Sequence, residues 1–488
     1  MSKSLINIKV VANVVGTLII ISGILMAFAI PFSIYYNEGG LYPLIISSLI
    51  TLAFGFGFKL YSRNSENAEI KKRDGFIIVT FGWLLMVSFG TLPYLLSNSI
   101  PNITNAFFES ASGFTTTGAS ILNNIEEVPR SILFWRSMTQ WIGGMGIIVL
   151  TIAILPLLGV GGMELFASEA PGPTKDKIHP RIKETAKRLW GIYLLLTLLE
   201  TVALMWAGMN FFDAINHSLT TLPTGGFSTK QDSIAYFNSP LIEYIIIVFM
   251  IIAGINFNLI YFGIKLKFRK FWENDEFKWY IGWILLLLVL ITPFAYKYNG
   301  GGFEKSIRDS LFQISSIVSS TGYATADYTF WGVFPTFMFF LMLFSGASAG
   351  STSGGMKIVR IVLLIKNGYL EFKRRIHPNA IIPVHLNNMA VSNNIIYNLM
   401  AFVFLYIFIF TIGSLALTVT GVDFMTSISA VATSMANIGP GIENVSPSKN
   451  FFLLPDTAKW ILSLLMIIGR LELFTIVILF TPYFWKRN

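Results

Sequence analysis

Residues 105–118, NAFFESASGFTTTG, form a short amphipathic segment that ends in a Thr-Gly turn. Three further segments follow the same plan, because each is short and reaches a glycine-containing turn. They cover residues 213–227, 309–323 and 423–441, and each of these three begins at an aspartate. Their glycines Gly118, Gly225, Gly322 and Gly439 stand 225 − 118 = 107, 322 − 225 = 97 and 439 − 322 = 117 positions apart. A period of about one hundred residues predicts one helix, one loop and one helix in each of four repeats.

The composition places the chain in a lipid bilayer. Of its 488 residues, 54% are hydrophobic and only 12% are charged, and the mean hydropathy is +0.64. Such a chain has too little polar surface to close into a soluble globule. Apolar runs near the roughly 20 residues that cross a bilayer recur along the chain, so we expect about ten crossings. They cover about 12–36, 41–61, 75–98, 131–157, 189–210, 239–267, 279–297, 331–366, 390–420 and 456–483.

Basic residues cluster between alternate spans, at 63–73, 175–188, 265–270 and 366–375, and Lys486 and Arg487 follow the last span. This positive-inside pattern predicts that both termini are cytoplasmic. The net charge of +9 does not indicate nucleic-acid binding, because no aromatic residues alternate with the basic runs. Lys3 and Lys9 before the first apolar run would also suit a cleaved signal peptide, but the run is longer than a signal core, which favours a retained helix.

Each of the four segments is too short and too rich in serine and threonine to cross the bilayer, yet it lies between two full spans. We therefore expect it to enter the membrane and return. Irregular backbone at membrane depth is tolerated only where protein buries it or water reaches it, so the four turns are predicted to converge on one aqueous axis. Asp213, Asp309 and Asp423 stand near the predicted helix starts, where a carboxylate caps free amide groups or attracts cations.

The turns have the chemistry of a cation path. Backbone carbonyls and Thr or Ser hydroxyls replace the hydration shell of an ion without adding a full negative charge. Glycine permits positive φ, which aims successive carbonyls at one axis. An ordinary helix C-cap is the alternative for each turn, but four turns at matching positions favour a shared site.

Two further features concern the path below the turns. Residues 346–355 combine glycines with small hydroxyl residues, which predicts either a flexible loop that interrupts a helix or close helix packing. Arg470 lies inside an apolar run, where a charge needs a partner, water or an interface to which it can extend. Glu200 raises the same question and could pair with Arg470 or Lys357. Close packing against one of the short pore helices is our interpretation of Gly143, Gly144 and Gly146.

Three sequence motifs, WRSMTQWIGGMG at 135–146, GASAGSTSGGMK at 346–357 and GRLEL at 469–473, accompany the four turns. With them the chain resembles the Trk/Ktr/HKT superfamily of potassium transporters, and its extra N-terminal hairpin resembles the Trk-type membrane subunit. The resemblance implies K⁺ as the transported ion, no cofactor in this chain, a homodimer in the bacterial plasma membrane, and a regulatory nucleotide-binding ring on the cytoplasmic side, of the kind called TrkA.

The resemblance also implies which residues face the ion and which form a gate. The ion would contact the filter glycine and the two residues before it, which are Thr116, Thr117, Gly118, Pro223, Thr224, Gly225, Ser320, Thr321, Gly322, Asn437, Ile438 and Gly439. Pro223 and the fourth turn would offer only carbonyls, and Gly118 favours potassium over sodium. A movable gate below the filter would include Gly346, Gly350, Ser351, Thr352, Gly354, Gly355, Lys357 and Arg470.

We therefore predict an all-α integral membrane protein with an N-terminal helical hairpin and four pseudo-symmetric repeats of helix, re-entrant pore loop and helix around one ion pore. The expected units are residues 1–70 for the hairpin and 71–188, 189–278, 279–389 and 390–488 for the repeats. The four histidines show no metal-ligand spacing and the chain has no cysteine, so we expect no enzyme activity. His217 is expected to be a packed, hydrogen-bonded residue. Potassium symport coupled to sodium or protons, which Glu200 could serve, is the alternative to a passive pore, and a membrane scaffold explains neither turns nor gate.

Overall fold

A computed structural model of the chain describes residues 6–63, 71–149, 178–300 and 302–486. Within these ranges six helical segments are long and apolar enough to cross a membrane. They are Ile8–Tyr36, Leu41–Tyr61, Lys72–Leu96, Glu184–Trp206, Asp275–Tyr298 and Asn393–Val419. Two further helix pairs are sharply bent, and counting each pair as one span raises the number to eight.

The first two spans form the N-terminal hairpin. Helix Ile8–Ala27 continues through a break into Ile30–Tyr36, and it packs along helix Leu41–Tyr61. The two helices approach closely because glycines face each other: a Cβ built on Gly16 would lie 2.9 Å from the carbonyl oxygen of Gly55. Small residues at helix contacts are the usual way in which membrane helices gain packing energy.

The four repeats share one order of elements. Each has a long helix, a short helix that enters the membrane and returns, an irregular turn, and a second long or broken helix. The first long helices are Lys72–Gly90 with Leu92–Leu96, Ile178–Trp206, Asp275–Asn299 and Asn393–Val419. Re-entrant helices 1 to 4 are Ile103–Phe114, Phe211–Thr221, Gly302–Val318 and Phe424–Ala436. The last elements are Arg130–Val149; Pro240–Ala253 with Phe257–Ile264; Val333–Met342 with Ile358–Ile376; and Asp456–Arg470 with Phe474–Val477.

Smaller elements connect the repeats. A 3₁₀ turn follows each re-entrant segment, at Ile125–Glu127, Ser233–Phe237, Tyr328–Trp331 and Glu443–Val445, and Ile478–Phe480 is a fifth. Short helices Arg269–Glu273 and Pro482–Trp485 complete the helical elements of the described residues. The strands Val384–Leu386 and Met389–Val391 form an antiparallel hairpin, with His385 opposite Ala390, which an all-α prediction does not include.

Two predicted spans are bent. The helix pair that covers 239–267 turns by 111° between Ala253 and Phe257, and the pair that covers 456–483 turns by 107° after Arg470. Asn256 begins the new helix by accepting a hydrogen bond from the backbone of Asn258 (2.8 Å). At the second bend Glu472 and Leu473 are left-handed, with φ of 57° and 41°. The sequence predicted a span at each of these two places but not its bend, because hydropathy does not register backbone conformation.

The other two predicted spans depart from simple crossings in different ways. The span 131–157 begins as helix Arg130–Val149, and its last residues lie outside the described part of the chain. The span 331–366 is divided between Val333–Met342 and Ile358–Ile376. Between these two helices runs an irregular stretch, as the glycines at 346–355 predict. Of the basic cluster at 175–188, residues 175–177 lie outside the described ranges, as does Arg487.

The predicted aspartate caps form at one helix of three. Asp423 precedes re-entrant helix 4 and accepts a hydrogen bond from the amide of Thr426 (2.9 Å). Re-entrant helix 2 is capped instead by Asn210, which accepts from the amide of Asp213 (2.9 Å). Asp309 stands 309 − 302 = 7 residues inside re-entrant helix 3, because that helix begins earlier than its sequence suggested.

Candidate functional site

The four turns have one backbone geometry. A left-handed residue opens each turn: Thr116 (φ 53°), Thr224 (57°), Ser320 (60°) and Asn437 (53°). The next residue donates its amide hydrogen to a carbonyl five positions back, and these pairs are Thr117 to Ser112, Gly225 to Thr220, Thr321 to Ser316 and Ile438 to Thr433. The equivalent triplets are therefore 116–118, 224–226, 320–322 and 437–439, which we call turns 1 to 4.

The second turn lies one residue later than the sequence prediction of Pro223, Thr224 and Gly225. The opening position requires positive φ, which the pyrrolidine ring of Pro223 cannot adopt. Thr224 takes that conformation instead, and Gly226 (φ 76°) becomes the counterpart of Gly118 (φ 82°) and Gly322 (φ 85°). The spacing of Thr-Gly pairs alone could not reveal this shift, because Gly225 and Gly226 are adjacent.

The four turns close into a ring. A Cβ built on Gly118 would lie 2.1 Å from the carbonyl oxygen of Gly225, and one on Gly226 would lie 1.9 Å from that of Thr321. Turn 3 meets turn 4 where a Cβ on Gly322 would lie 2.9 Å from the amide nitrogen of Gly439. Turn 4 returns to turn 1, because a Cβ on Gly439 would lie 2.9 Å from the carbonyl oxygen of Gly118. The contacts run 1–2, 2–3, 3–4 and 4–1, so the turns surround one axis.

A cavity of about 90 Å³ lies at this ring, and Gly226 is the residue of turn 2 that lines it. It is lined by the third residue of every turn, Gly118, Gly226, Gly322 and Gly439, together with residues that follow the turns. Lys230 and Lys449 also line it.

Side chains of the turns form hydrogen bonds with other side chains nearby. The hydroxyl of Thr117 lies 2.7 Å from that of Thr115, and the hydroxyl of Thr321 lies 2.7 Å from that of Ser319. Asn437 donates to the hydroxyl of Thr117 (3.1 Å) and also to the carbonyl of Met466 (2.9 Å). These bonds tie turns 1 and 3 to the residues just before them and tie turn 4 to turn 1.

A buried ion pair that the sequence analysis missed supports turns 1 and 2. Arg136 Nε donates to Glu109 Oε1 at 2.7 Å, and both side chains are almost fully buried. Arg136 also donates to the carbonyl of Ser228 after turn 2 (2.9 Å), while Glu109 Oε2 accepts from the amide of Ile121 after turn 1 (2.9 Å). The signal was present, because both charges stand in quoted segments that are otherwise short of charge, and buried charges need partners.

The predicted gate segment, residues 346–357, lies directly against the turns, and we keep the name gate segment for it. Gly354 donates its amide hydrogen to the hydroxyl of Ser320 in turn 3 (2.9 Å). The hydroxyl of Thr352 donates to the carbonyl of Leu222 before turn 2 (2.7 Å). Gly350 and Gly355 are left-handed (φ 75° and 66°), which glycine adopts without steric cost.

The bend between Ala253 and Phe257 receives this segment. The amide of Ser348 donates to the carbonyl of Gly254 (3.0 Å), and the amide of Phe257 donates to the carbonyl of Gly350 (3.1 Å). Backbone groups freed by the broken helix thus bind the gate segment, which explains how irregular structure is tolerated at this depth. Inside the segment, the hydroxyl of Ser351 donates to the carbonyl of Ser348 (2.6 Å), and the amide of Gly346 donates to the carbonyl of Met356 (2.7 Å).

Arg470 ends its helix and reaches the gate segment. It is buried, and its guanidinium donates to the carbonyls of Thr352 (2.9 Å) and Gly143 (3.3 Å). Lys357 donates to the carbonyl of Ser353, and Arg360 forms an ion pair with Glu472. Two cationic side chains, Arg470 and Lys357, therefore bind carbonyls of the gate segment, and Arg360, three residues after the segment, pairs with Glu472.

Glu200 does not pair with Arg470 or Lys357, contrary to one expectation. Its carboxylate is fully buried beside Thr221 and forms no ion pair with any residue of the described ranges. His217 is packed and hydrogen-bonded as predicted, with its ring nitrogens 2.7 Å from the carbonyl of Asp213 and 3.0 Å from the hydroxyl of Ser228.

The predicted close packing of three glycines holds, although with different partners. A Cβ on Gly143 would lie 2.0 Å from the carbonyl oxygen of Phe114, and one on Gly144 would lie 2.4 Å from Pro223. These two glycines pack against re-entrant segments 1 and 2. Gly146 packs instead against Trp83 of the preceding span, where a Cβ would lie 2.8 Å from the indole ring.

Apolar spans arranged around four re-entrant turns that meet at one axis define an integral membrane protein of the pore-loop class. A sequence profile of the TrkH family, described as a cation transport protein, matches residues 44–487. The chain belongs to this family, as the resemblance predicted. It is 41% identical to the Trk system potassium uptake protein TrkH of Escherichia coli K12, over 99% of this chain and 100% of that protein.

Other relatives match over similar lengths. The Trk system potassium uptake protein TrkG of Escherichia coli K12 is 35% identical, over 98% of this chain and 99% of that protein. The crystal structure of the potassium transporter TrkH from Vibrio parahaemolyticus superimposes with a TM-score of 0.89 at 37% identity, covering 98% of this chain and 99% of that one. These matches confirm the predicted fold class.

Proposed function

We propose that this chain carries potassium inward across the bacterial plasma membrane through a selective, gated, channel-like pore. The observation that carries the proposal is the closed ring of four turns, in which each turn lies within contact distance of the next. A ring of backbone carbonyls can replace the hydration shell of a monovalent cation. The names of the relatives, which are potassium uptake proteins, support potassium as that cation.

The ion ligands in this proposal are the backbone carbonyls of turns 1 to 4. Thr116, Thr117 and Gly118 serve in turn 1, and Ser320, Thr321 and Gly322 serve in turn 3. In turn 2 we assign the role to residues 224–226, so Pro223 lies just before the filter. The hydroxyls of Thr117 and Thr321 already bind neighbouring side chains, which favours carbonyl oxygens as the ligands.

The gate in this proposal is the segment 346–357 together with Arg470. The segment contacts Leu222 just before turn 2 and Ser320 at the start of turn 3, so an ion leaving the filter on that side would meet it. Arg470 adds a positive charge at the same place, which opposes the passage of a cation. Opening requires that the bonds from Thr352 and Gly354 to the turns break.

Potassium symport is a second candidate, and one observation favours it. Glu200 is buried without an ion pair among the described residues, and such a carboxylate can exchange a proton or hold a small cation. Imposed sodium and proton gradients separate the two candidates. If the potassium reversal potential is the same with and without the two gradients, the channel is supported. If either gradient shifts the reversal potential, coupled symport is supported.

We also propose that the chain is divided into an N-terminal hairpin at 1–70 and four repeats at 71–188, 189–278, 279–389 and 390–488. We propose further that both termini are cytoplasmic, that the chain forms a homodimer, and that its cytoplasmic partner is a TrkA-like nucleotide-binding ring. Lys373 and Arg375 are exposed and suit contact with such a ring. Lys366 is less suited, since it binds Asp275 at 3.0 Å. Unchanged ring binding after Lys373 and Arg375 are neutralised would contradict this contact.

The first test is cation influx into liposomes that contain the purified chain, under a fixed inside-negative potential. We expect rapid influx of potassium and rubidium and slow influx of sodium and lithium. Equal influx of sodium, or no influx of any of the four cations, would contradict the proposal.

A further inference from the structure

Turn 2 differs from the other turns at its middle position. Turns 1, 3 and 4 carry a side chain there, on Thr117, Thr321 and Ile438, whereas turn 2 has Gly225. In turns 1 and 3 that side chain is a threonine whose hydroxyl bonds to Thr115 or Ser319 behind the backbone. Turn 2 has no side chain of its own with which to make this bond.

The space behind Gly225 is filled by Gln140, from the helix Arg130–Val149 of the first repeat. A Cβ built on Gly225 would lie 2.4 Å from both Cδ and Oε1 of Gln140. Gln140 is fully buried. Its carboxamide therefore occupies the position that a threonine side chain takes in the two equivalent turns.

Gln140 also binds the backbone of turn 2 directly, on both sides of Gly226. Its Nε2 donates to the carbonyl of Gly225 at 2.7 Å, and its Oε1 accepts from the amide of Phe227 at 3.1 Å. A carboxamide is the neutral side-chain group that offers a donor and an acceptor in one rigid plane, so it can hold the two backbone groups at a fixed separation.

The neighbouring Arg136 stands four residues earlier on the same helix and binds the carbonyl of Ser228. Residues four apart share one helix face. This face thus holds the backbone from Gly225 to Ser228 by three hydrogen bonds from two side chains, and through Glu109 it also holds the chain after turn 1.

We infer that Gln140 is a selectivity-determining positioning residue, which replaces in turn 2 the side chain that turns 1 and 3 carry within themselves. The inference rests on the proposed function of the turns as a filter. Gln140 does not touch the ion. It fixes the direction of the Gly225 carbonyl and the distance between turn 2 and the adjoining turn 1, where that carbonyl meets Gly118.

The experiment measures the potassium-to-sodium permeability ratio from reversal potentials of the full chain in lipid bilayers, for wild type, Gln140→Ala, Gln140→Glu, Gly225→Thr and the double variant Gln140→Ala/Gly225→Thr. Gln140→Ala should lower the ratio about tenfold, the effect of roughly one net hydrogen bond. Gln140→Glu keeps the acceptor for Phe227 but loses the donor to Gly225, so it should also lower the ratio.

The permeability ratio of the double variant is the decisive measurement. Gly225→Thr alone should damage the ratio, because its Cβ would overlap Gln140. In the double variant the threonine enters the space that Gln140→Ala vacates, and turn 2 then resembles turn 3. We expect the ratio to return to within about threefold of wild type. Gln313→Ala is the matched control, since it removes another fully buried glutamine, whose carboxamide contacts Thr325 at 3.4 Å, outside the turns.

A wild-type ratio in both Gln140→Ala and Gln140→Glu would overturn the inference, and so would a double variant no better than the worse single variant. A wild-type chain that does not prefer potassium would instead overturn the proposed function of the turns.

Discussion

Replacing Gly118 by serine should reduce the preference for potassium by distorting the ring between turns 1 and 2. Gly118 has φ of 82°, a conformation that costs an L-residue roughly 1–2 kcal/mol. The new Cβ would lie 2.1 Å from the carbonyl oxygen of Gly225, whereas ordinary contact begins at 3.4 Å. The two turns must therefore separate by about 3.4 − 2.1 = 1.3 Å, unless the backbone rotates.

The size of the expected loss of potassium selectivity follows from the strain that Gly118→Ser introduces. If this strain raises the free energy of the potassium-bound state by about 1.4 kcal/mol and leaves that of the sodium-bound state unchanged, the potassium-to-sodium permeability ratio falls about tenfold. A wider ring also holds its carbonyls less well at the distance that suits a dehydrated potassium ion. The assay is the reversal potential of the purified chain in bilayers, with potassium on one side and sodium on the other.

Gly191→Ser is the matched control for this substitution. Gly191 lies in helix Ile178–Trp206, and a Cβ there would meet no atom within 4 Å. The control should keep the wild-type ratio. The reasoning is refuted if Gly118→Ser keeps the wild-type ratio, or if Gly191→Ser loses as much of it.

Three further outcomes are expected. Arg470→Gln removes charge-assisted bonds, among them the one to Thr352, which are worth roughly 1.5–3 kcal/mol each, so potassium influx into liposomes should rise severalfold; unchanged influx would exclude Arg470 from the gate. Glu109→Gln leaves Arg136 buried without its charged partner and should destabilise the protein by about 3–5 kcal/mol, which would lower the melting temperature in detergent. A wild-type melting temperature would contradict the role of the ion pair. Glu200→Gln should leave potassium influx and its pH dependence unchanged if the pore is passive, and loss of a sodium-dependent or proton-dependent component would favour symport.

The register of turn 2 shows where inference from the sequence stopped. The repeat of Thr-Gly pairs located four turns, and the family resemblance supplied their roles. Neither could place Gly226 as the counterpart of Gly118, since that assignment depends on the backbone conformation of Thr224. The prohibition on positive φ at Pro223 would have pointed to the shift, had it been applied to the opening position of the turn.

The class of protein, the number of re-entrant segments and the interruption at 346–355 could all be predicted from the amino-acid sequence. These features depend on local composition and on spacing, which hydropathy and glycine content report directly. The tertiary structure alone decided which groups meet: Asn437 with Thr117 across 320 positions, Arg470 with Thr352 across 118, and Gln140 with Gly225 across 85. Each of these bonds joins different repeats, and its geometry exists only once the four turns have closed around their axis. A single sequence does not encode such pairings in any local pattern.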